Sequence, residues 1–259
     1  MRLTYPKPAF ALITALLLLL FGAAGCKENP VDASGDGVAA RSQTDPALDG
    51  EDLDEIAGAK IPFADAEVFF EFNTTDMDLG LQISLDAEGW KKVKVSGPSK
   101  AKIFEIKAEG ELAELGITEL RFESAEPSPA EVLAKFPPGD YKFKGNTVEG
   151  GKLESIATLS HDFVPAFSFS PSEGEEVDPD DTVVTWEAPG AELVEIIIGS
   201  DDFEACFDVI VEGDEGDLDI PSQFLEPGTE YKIELLAISE NGNKTIVEST
   251  FITSGGDDE

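Results

Sequence analysis

Short runs of β-branched and aromatic residues, separated by turn residues, recur from residue 61 to residue 254 and constrain the fold more than any other feature. Residues of this kind favour extended strands, and closely spaced short strands favour sandwiches over parallel sheets. We therefore predict an all-β protein with two β-sandwich domains, at 61–160 and 161–254. In the first domain the predicted strands are 67–72, 79–85, 90–95, 102–107, 117–122, 140–144 and 152–159.

One short helix is predicted within the first domain. Ser128 is suited to the N-cap, Pro129 occupies the first helical position, and Glu131 follows three residues after the serine. This spacing is typical of a capping box, in which each of the two side chains accepts a backbone N–H. The helix is expected to run through Leu133 and to end by Pro137.

The second domain carries the most specific sequence pattern. Residues 225–238 read LEPGTEYKIELLAI, which is a leucine, a Pro-Gly-Thr turn, and then a tyrosine with alternating apolar residues. The pattern resembles the loop and following strand of a fibronectin type III domain, an immunoglobulin-like sandwich. The resemblance implies that Tyr231 forms a tyrosine corner and that Trp186 is a core residue of the second strand. Residues 61–160 loosely resemble uncharacterised envelope β-domains, which implies no activity.

The first 26 residues have the composition of an export signal. Arg2 and Lys7 precede an apolar stretch of about 16 residues, which is shorter than the roughly 20 that span a bilayer as a helix. A basic start, a short apolar core and small residues at the end are typical of a signal peptide. The small residues directly before Cys26 resemble the lipobox of bacterial lipoproteins, which implies cleavage before Cys26 and lipidation of its sulfur. An ordinary secretory signal and a transmembrane helix are the alternatives.

The predicted chain organisation follows from that signal. Residues 1–25 are the signal peptide, 26–60 a lipidated tether, and 255–259 an acidic tail. The stretch 27–60 has nine acidic residues and no aromatic residue, so we expect it to be flexible. Lipidation predicts a protein held at the cell envelope, and Lys27 is compatible with the outer membrane, on its periplasmic face or at the cell surface.

The acidic charge of the chain is large and uneven. The formal net charge is −36, and 161–254 has 24 acidic residues but only two basic ones, Lys232 and Lys244. Such a charge repels nucleic acid and anionic lipid headgroups, so both are excluded as partners. The membrane, through the lipid, and a protein or glycan are the expected partners.

Two acidic loops of the second domain are a candidate metal site. In a fibronectin-like sandwich these loops lie at the same end, and clustered carboxylates recruit cations. A weak Ca²⁺ site is one hypothesis and a solvated acidic cluster is the other; Ca²⁺ is the one cofactor that the pattern suggests. The candidate ligands are Asp178, Asp180, Asp181, Asp201 and Asp202.

A second calcium-like pattern occurs in the first domain, where residues 73–80 read NTTDMDLG. Two aspartates stand two residues apart before a glycine, as in calcium loops. The further oxygen ligands and the glutamate of an EF-hand are missing. An asparagine-stabilised turn is therefore the favoured interpretation.

A lysine cluster beside Trp90 is the candidate ligand-binding site. It comprises Lys91, Lys92 and Lys94, followed by Lys100 and Lys102. Cationic side chains beside an aromatic ring suit an anionic polysaccharide, and docking against the acidic second domain is an alternative. A solvated strand face that discourages edge-to-edge aggregation is the third.

The sequence contains no recognisable catalytic motif. His161 is the only histidine, and its neighbour Asp162 is expected to point the opposite way in an extended segment, so a loop or strand-end histidine is favoured. Cys206 lies in an apolar stretch and is predicted to be a buried strand thiol; with Cys26 lipidated it has no disulfide partner. Carboxylate pairs are unavoidable among 54 acidic residues. We predict that the protein is not an enzyme.

Three functions remain as hypotheses. The first is a membrane-anchored envelope lipoprotein that acts as a binding or structural module. The second is a calcium-dependent carbohydrate-binding lipoprotein, and the third is a hydrolase with a carboxylate pair. The sequence favours the first, because no recognisable catalytic motif occurs and the predicted fold serves many binding purposes.

Overall fold

The computed structural model describes residues 60–255, and for residues 203–205 it describes the backbone alone. The predicted signal peptide, Cys26 and the tether up to residue 59 lie outside the described residues, as do residues 256–259. Within the described part, no helix is long and apolar enough to cross a membrane. Two separate hydrophobic cores are present, one formed by residues between Phe63 and Leu159 and one between Val164 and Phe251.

The first core lies among strands that match the predicted runs. These strands are β1 (Lys60–Ile61), β2 (Asp65–Asn73), β3 (Asp78–Ser96), β4 (Lys102–Lys107), β5 (Ile117–Glu123), β6 (Gly139–Thr147) and β7 (Lys152–Leu159). Two short helices, α1 (Leu112–Leu115) and α2 (Pro129–Lys135), connect them. Tyr141 and Phe143 are completely buried while the neighbouring lysines are exposed, which confirms the predicted alternation.

Strand β3 organises this domain because its two halves pair with different strands. Its first half pairs with β2 and β5, and its second half pairs with β4 and β6. The sequence predicts two separate strands here, at 79–85 and 90–95, and the structure joins them into one bent strand. The pairing is irregular between Asp86 and Trp90, so the bend replaces the expected turn.

Helix α2 begins where the sequence predicts, with Ser128 at the N-cap and Pro129 as the first helical residue. The predicted capping box is wrong in its detail. The Ser128 hydroxyl lies 3.3 Å from the Glu131 carboxylate, and the Glu131 N–H donates to the Ser128 carbonyl instead.

The second core lies between two sheets. One sheet has the order β13-β10-β8, and the other has the order β15-β14-β11-β12, with β9 parallel to β15. This is a fibronectin type III-like sandwich, as predicted. Its strands are β8 (Ser168–Ser170), β9 (Glu175–Val177), β10 (Val183–Glu187), β11 (Leu193–Ser200), β12 (Phe203–Glu212), β13 (Asp217–Asp219), β14 (Glu230–Ile238) and β15 (Lys244–Thr253).

The predicted tyrosine corner is present. The Tyr231 hydroxyl accepts the Glu226 N–H at 2.7 Å and donates to the Phe224 carbonyl at 3.3 Å. Trp186 is buried as expected, and its indole N–H donates to the Gly213 carbonyl. Both aromatic side chains therefore serve the fold of the second domain.

Candidate functional site

A group of lysines covers the outer surface of one sheet of the first domain. The sheet consists of β1, β7, β6, the second half of β3, and β4. The side chains of Val93, Val95 and Phe143 are buried. Because side chains alternate along a strand, the lysines between them point outward. We call this surface the lysine face, and it comprises Lys60, Lys92, Lys94, Lys102, Lys107, Lys142, Lys144 and Lys152.

The strand register places several of these lysines directly side by side. Lys94 is paired with Lys144 of β6, Lys92 with Lys107 of β4, and Lys152 with Lys60 of β1. Like charges in directly opposed positions destabilise a sheet. Acidic residues outnumber basic ones by 54 to 18 in this chain, so the accumulation of lysines on one face is a specific feature of this sheet.

Counter-charges neutralise only part of the lysine face. Glu105 accepts from Lys92 at 3.2 Å, and Glu154 accepts from Lys60 at 2.8 Å and lies 3.6 Å from Lys144. The hydrogen bond from Lys92 lowers the pKa of Glu105, and that from Lys60 lowers the pKa of Glu154, so both are ionised at neutral pH. Asp140, at the end of β6, is the third carboxylate and accepts from Thr158. Glu109, just after β4, lies 3.8 Å from Lys107. Eight lysines therefore face four carboxylates.

The position of Trp90 overturns one prediction. Its side chain is completely buried in the first core, and the indole N–H donates to the Thr118 carbonyl at 3.4 Å. The prediction that Trp90 binds a ligand is therefore wrong, because no part of the ring reaches the surface. Lys91 lies in the bulge beside it, between the paired positions of Trp90 and Lys92, and its carbonyl accepts the Ala108 N–H.

The structure extends the predicted cluster across strands that are distant in sequence. Lys92 and Lys94 of the predicted cluster lie on the lysine face, and Lys142, Lys144 and Lys152 join them through pairing of β6 with β3 and β7. Alternation in the sequence shows that the β6 lysines share a face. It does not show which strand lies beside them.

The ion pairs of the lysine face lie within the first domain. Among residues 60–255, the ion pairs of the face end on Glu105, Glu109 and Glu154, all within the first domain. Docking of these lysines against the acidic second domain stays a prediction.

The five aspartates of the predicted calcium site lie in two loops that lead into different sheets. Asp178, Asp180 and Asp181 precede β10, whereas Asp201 and Asp202 connect β11 with β12. The Asp178 carboxylate accepts the Asp180 N–H, and Asp201 forms an ion pair with Lys232 at 3.0 Å. In the described part of the chain, no three or more His, Cys, Asp or Glu side chains are grouped so that they could hold a metal ion. Calcium binding stays a prediction.

The loop after β2 is the predicted asparagine turn. The Asn73 side-chain oxygen accepts the N–H groups of Thr75 and Asp76, at 2.9 and 3.2 Å. The favoured interpretation of residues 73–80 as a structural turn is confirmed.

The two side chains with potentially reactive groups are His161 and Cys206. His161 lies in the segment after β7, with its Nε2 2.8 Å from the Phe136 carbonyl and its ring against Phe70. Cys206 is only half-buried on β12, so the prediction of a buried thiol is wrong in degree. Burial and the nearby Asp208 raise the pKa of this thiol, which keeps it protonated at neutral pH.

A scan of the sequence against protein families finds no match, and a search of curated proteins finds none. Among solved structures, the chain is similar to the chicken CNTN1 FN1–FN3 domains, with 13% identity, 76% of this chain and 68% of that chain covered, and a TM-score of 0.34. It is also similar to a two-domain fibronectin type III segment from chicken tenascin, with 12% identity, coverage of 74% and 99%, and a TM-score of 0.30. The BSP domain of a biofilm-associated protein matches at 13% identity, with coverage of 76% and 30%, and a TM-score of 0.26.

The fold assignment rests on the strand order of the chain itself. Fold and site together define the class of protein. It is an all-β protein of two sandwiches, the second like fibronectin type III, with a lysine-rich face on the first.

Proposed function

We propose that this protein is a lipid-anchored module of the bacterial cell envelope that binds an anionic polysaccharide through the lysine face. The supporting observation is the set of directly paired lysines on the sheet formed by β4, β3, β6, β7 and β1. An arrangement that costs stability in the free protein becomes favourable when an anionic ligand neutralises it.

The chemistry of the face suits a repeating anion. In a sheet, neighbouring strands lie about 4.8 Å apart and alternate residues on one strand about 6.8 Å apart, so the charges form a regular grid. Ammonium groups on long, flexible stems adapt to carboxylate or sulfate groups at variable spacing. The face offers no aromatic platform, since Trp90 is buried, so the contact is electrostatic and not stacking.

The rest of the molecule limits what can bind there. The overall charge of −36 repels a long polyanion from every other surface. Binding is therefore confined to the first domain and weakens as salt screens the lysines. A lipid on Cys26 supports this role because it holds the module where envelope polysaccharides are found.

The binding experiment uses the full chain, purified in detergent, on beads that carry alginate or the neutral polymer dextran. We expect retention on alginate alone and elution by NaCl. The double variant Lys94→Glu/Lys144→Glu should lose retention. The matched control is Arg121→Glu/Lys135→Glu, which reverses two exposed cations of the same domain that lie outside the face and outside the predicted cluster. Equal retention of the two variants would show that the lysine face is not the binding surface.

A further inference from the structure

The two sandwiches are joined through one pair of strands. β15 of the second domain runs parallel to β2 of the first, with Lys244 opposite Glu71, Thr245 opposite Phe72, and Ile246 opposite Asn73. One continuous sheet therefore passes from β3 through β2 and β15 to β14. Only three residue pairs form this junction, so its strength depends on the side chains around it.

Asn243 fixes the junction from within. Its side chain is almost completely buried, its amide N–H groups donate to the Ser160 and Asp162 carbonyls, and its oxygen accepts the Phe70 N–H. On the other side, the Thr74 hydroxyl donates to the Ile246 carbonyl. These bonds are between neutral groups and do not change with pH.

The charged part of the junction is a chain of side chains that crosses both domains. The Lys244 ammonium lies 3.2 Å from Glu71 of the first domain and 3.2 Å from Glu195 of the second. The other Glu71 oxygen accepts from the Gln82 amide at 2.6 Å, and the same amide donates to Glu123 at 2.6 Å. One lysine thus holds carboxylates from both domains together.

Carboxylates outnumber cations around this chain. Glu234 faces Glu71 across the junction, and Glu248 faces Asp76 and Asp78 across it. Lys232 forms an ion pair with Asp201 and also lowers the pKa of Glu234, against the larger effect of burial and the neighbouring glutamates. The groups that face the junction are Glu67, Glu71, Asp76, Asp78, Arg121, Glu123 and Glu126 from the first domain, and Glu195, Asp208, Lys232, Glu234, Lys244 and Glu248 from the second.

Two of these carboxylates hold their protons near neutral pH. Burial, together with Glu126 and Glu71, raises the pKa of Glu123 to about 8. Burial, together with Glu248 and Glu71, raises the pKa of Glu234 to about 7. Gly80 allows Glu123 to sit there, because a Cβ on residue 80 would stand 2.6 Å from the Glu123 oxygen.

We infer that the β2–β15 junction is a pH-sensitive connection, in which protonated Glu123 and Glu234 permit the continuous sheet and their ionisation loosens it. Ionised Glu234 adds a negative charge opposite Glu71 of the other domain. Ionised Glu123 adds one beside Glu71 and competes for the Gln82 amide. Lys244 and the hydrogen bond from the Asn73 amide to Glu248 then oppose a larger repulsion between the two domains. This inference does not depend on the proposed ligand of the lysine face.

Hydrogen exchange of the full chain tests the inference. We expect the protection factors of the amides of residues 70–73 and 244–246, corrected for intrinsic exchange, to fall about tenfold or more between about pH 5.5 and about pH 8.5. The reason is that opening of the junction releases protons, so a higher pH favours the open state. Protection of β6 and β7 within the first domain should change much less. Equal changes in the two regions would overturn the inference.

Variants identify the responsible groups. The variant Glu123→Gln/Glu234→Gln should keep its protection at the higher pH. The control Glu149→Gln/Glu230→Gln, which changes one exposed site in each domain, should lose protection as the unaltered chain does. A loss that persists in Glu123→Gln/Glu234→Gln would contradict the inference. About 0.5 M NaCl at the higher pH should restore protection of the unaltered chain, because salt screens the repulsion. This salt experiment needs no substitution. If salt does not restore the amide protection, the inference is contradicted.

Discussion

Lys94 and Lys144 lie directly opposite each other on strands β3 and β6, with their charges on the same exposed face. The chain has ample glutamate and aspartate with which to separate them, yet both positions are lysine. Opposed like charges destabilise a sheet. This relationship links the stability of the first domain to the function that we propose for it, because the two properties respond in opposite directions to the same substitutions.

The first prediction concerns the pairing of lysines on neighbouring strands. Lys107→Glu replaces a lysine paired with Lys92 by an acidic residue, so a repulsive cross-strand pair becomes an attractive one. We expect the free energy of unfolding to rise by about 0.2–1 kcal/mol at low salt and retention on alginate to fall. Urea unfolding and bead binding measure the two effects. The control is Lys135→Glu on α2, and a loss of stability in Lys107→Glu would contradict the prediction.

The second prediction concerns the anchor. Cys26→Ser removes the sulfur that the lipobox resemblance assigns to the lipid. We expect the protein to move from the membrane pellet to the soluble fraction after a carbonate wash, because the acyl chains supply the membrane affinity. Fractionation and immunoblotting measure this change. Cys206→Ser is the matched control and should stay in the pellet, and membrane retention of Cys26→Ser would show that the anchor assignment is wrong.

The third prediction concerns the tyrosine corner. Tyr231→Phe removes a hydroxyl that bonds both the Glu226 N–H and the Phe224 carbonyl, and we expect a loss of about 1–3 kcal/mol in unfolding free energy. The Tyr141 hydroxyl makes one bond, to the Pro137 carbonyl at 3.1 Å. Tyr141→Phe should therefore cost less, about 0.5–1.5 kcal/mol. Denaturant unfolding of both variants gives the comparison, and a larger loss in Tyr141→Phe would refute the ranking.

The fourth prediction concerns pH and global stability. The pKa of Glu234 is raised from 4.5 to about 7 and that of Glu123 to about 8, so between these values the folded chain binds protons that the unfolded chain has released. The unfolding free energy contributed by these groups is therefore fully present below about pH 4.5 and falls as pH rises toward about 8. Urea midpoints across this range test the sign. Glu123→Gln/Glu234→Gln should show a shallower decline, and a midpoint that rises with pH in the unaltered chain would be incompatible with the proposed protonation.

Much of the fold could be predicted from the sequence because the patterns that indicate it extend over only a few residues. The alternation of Tyr141 and Phe143 with lysines identifies β6 and its buried face without reference to any other strand. The Pro-Gly-Thr turn before Tyr231 identifies the corner, since the bonds of its hydroxyl reach only five to seven residues upstream. The N-cap at Ser128 is local in the same way.

The sites could be predicted only in part, because they depend on strand pairing. Lys92 and Lys94 attract attention as a cluster, but Lys144 joins them through the register of β3 with β6, some fifty residues later. Trp90 beside those lysines suggests a surface aromatic, and the bulge between it and Lys92 turns it into the core instead.

The sequence by itself determined that the described chain is β-rich, where most of its strands lie, and that the second domain has a tyrosine corner, because side-chain periodicity and turn chemistry act over a few residues. The tertiary structure alone decided that lysines from five strands share one face. It also decided that Lys244 lies between Glu71 and Glu195 of different domains. Both arrangements depend on register between distant strands, and a one-residue slip would turn every side chain to the opposite face.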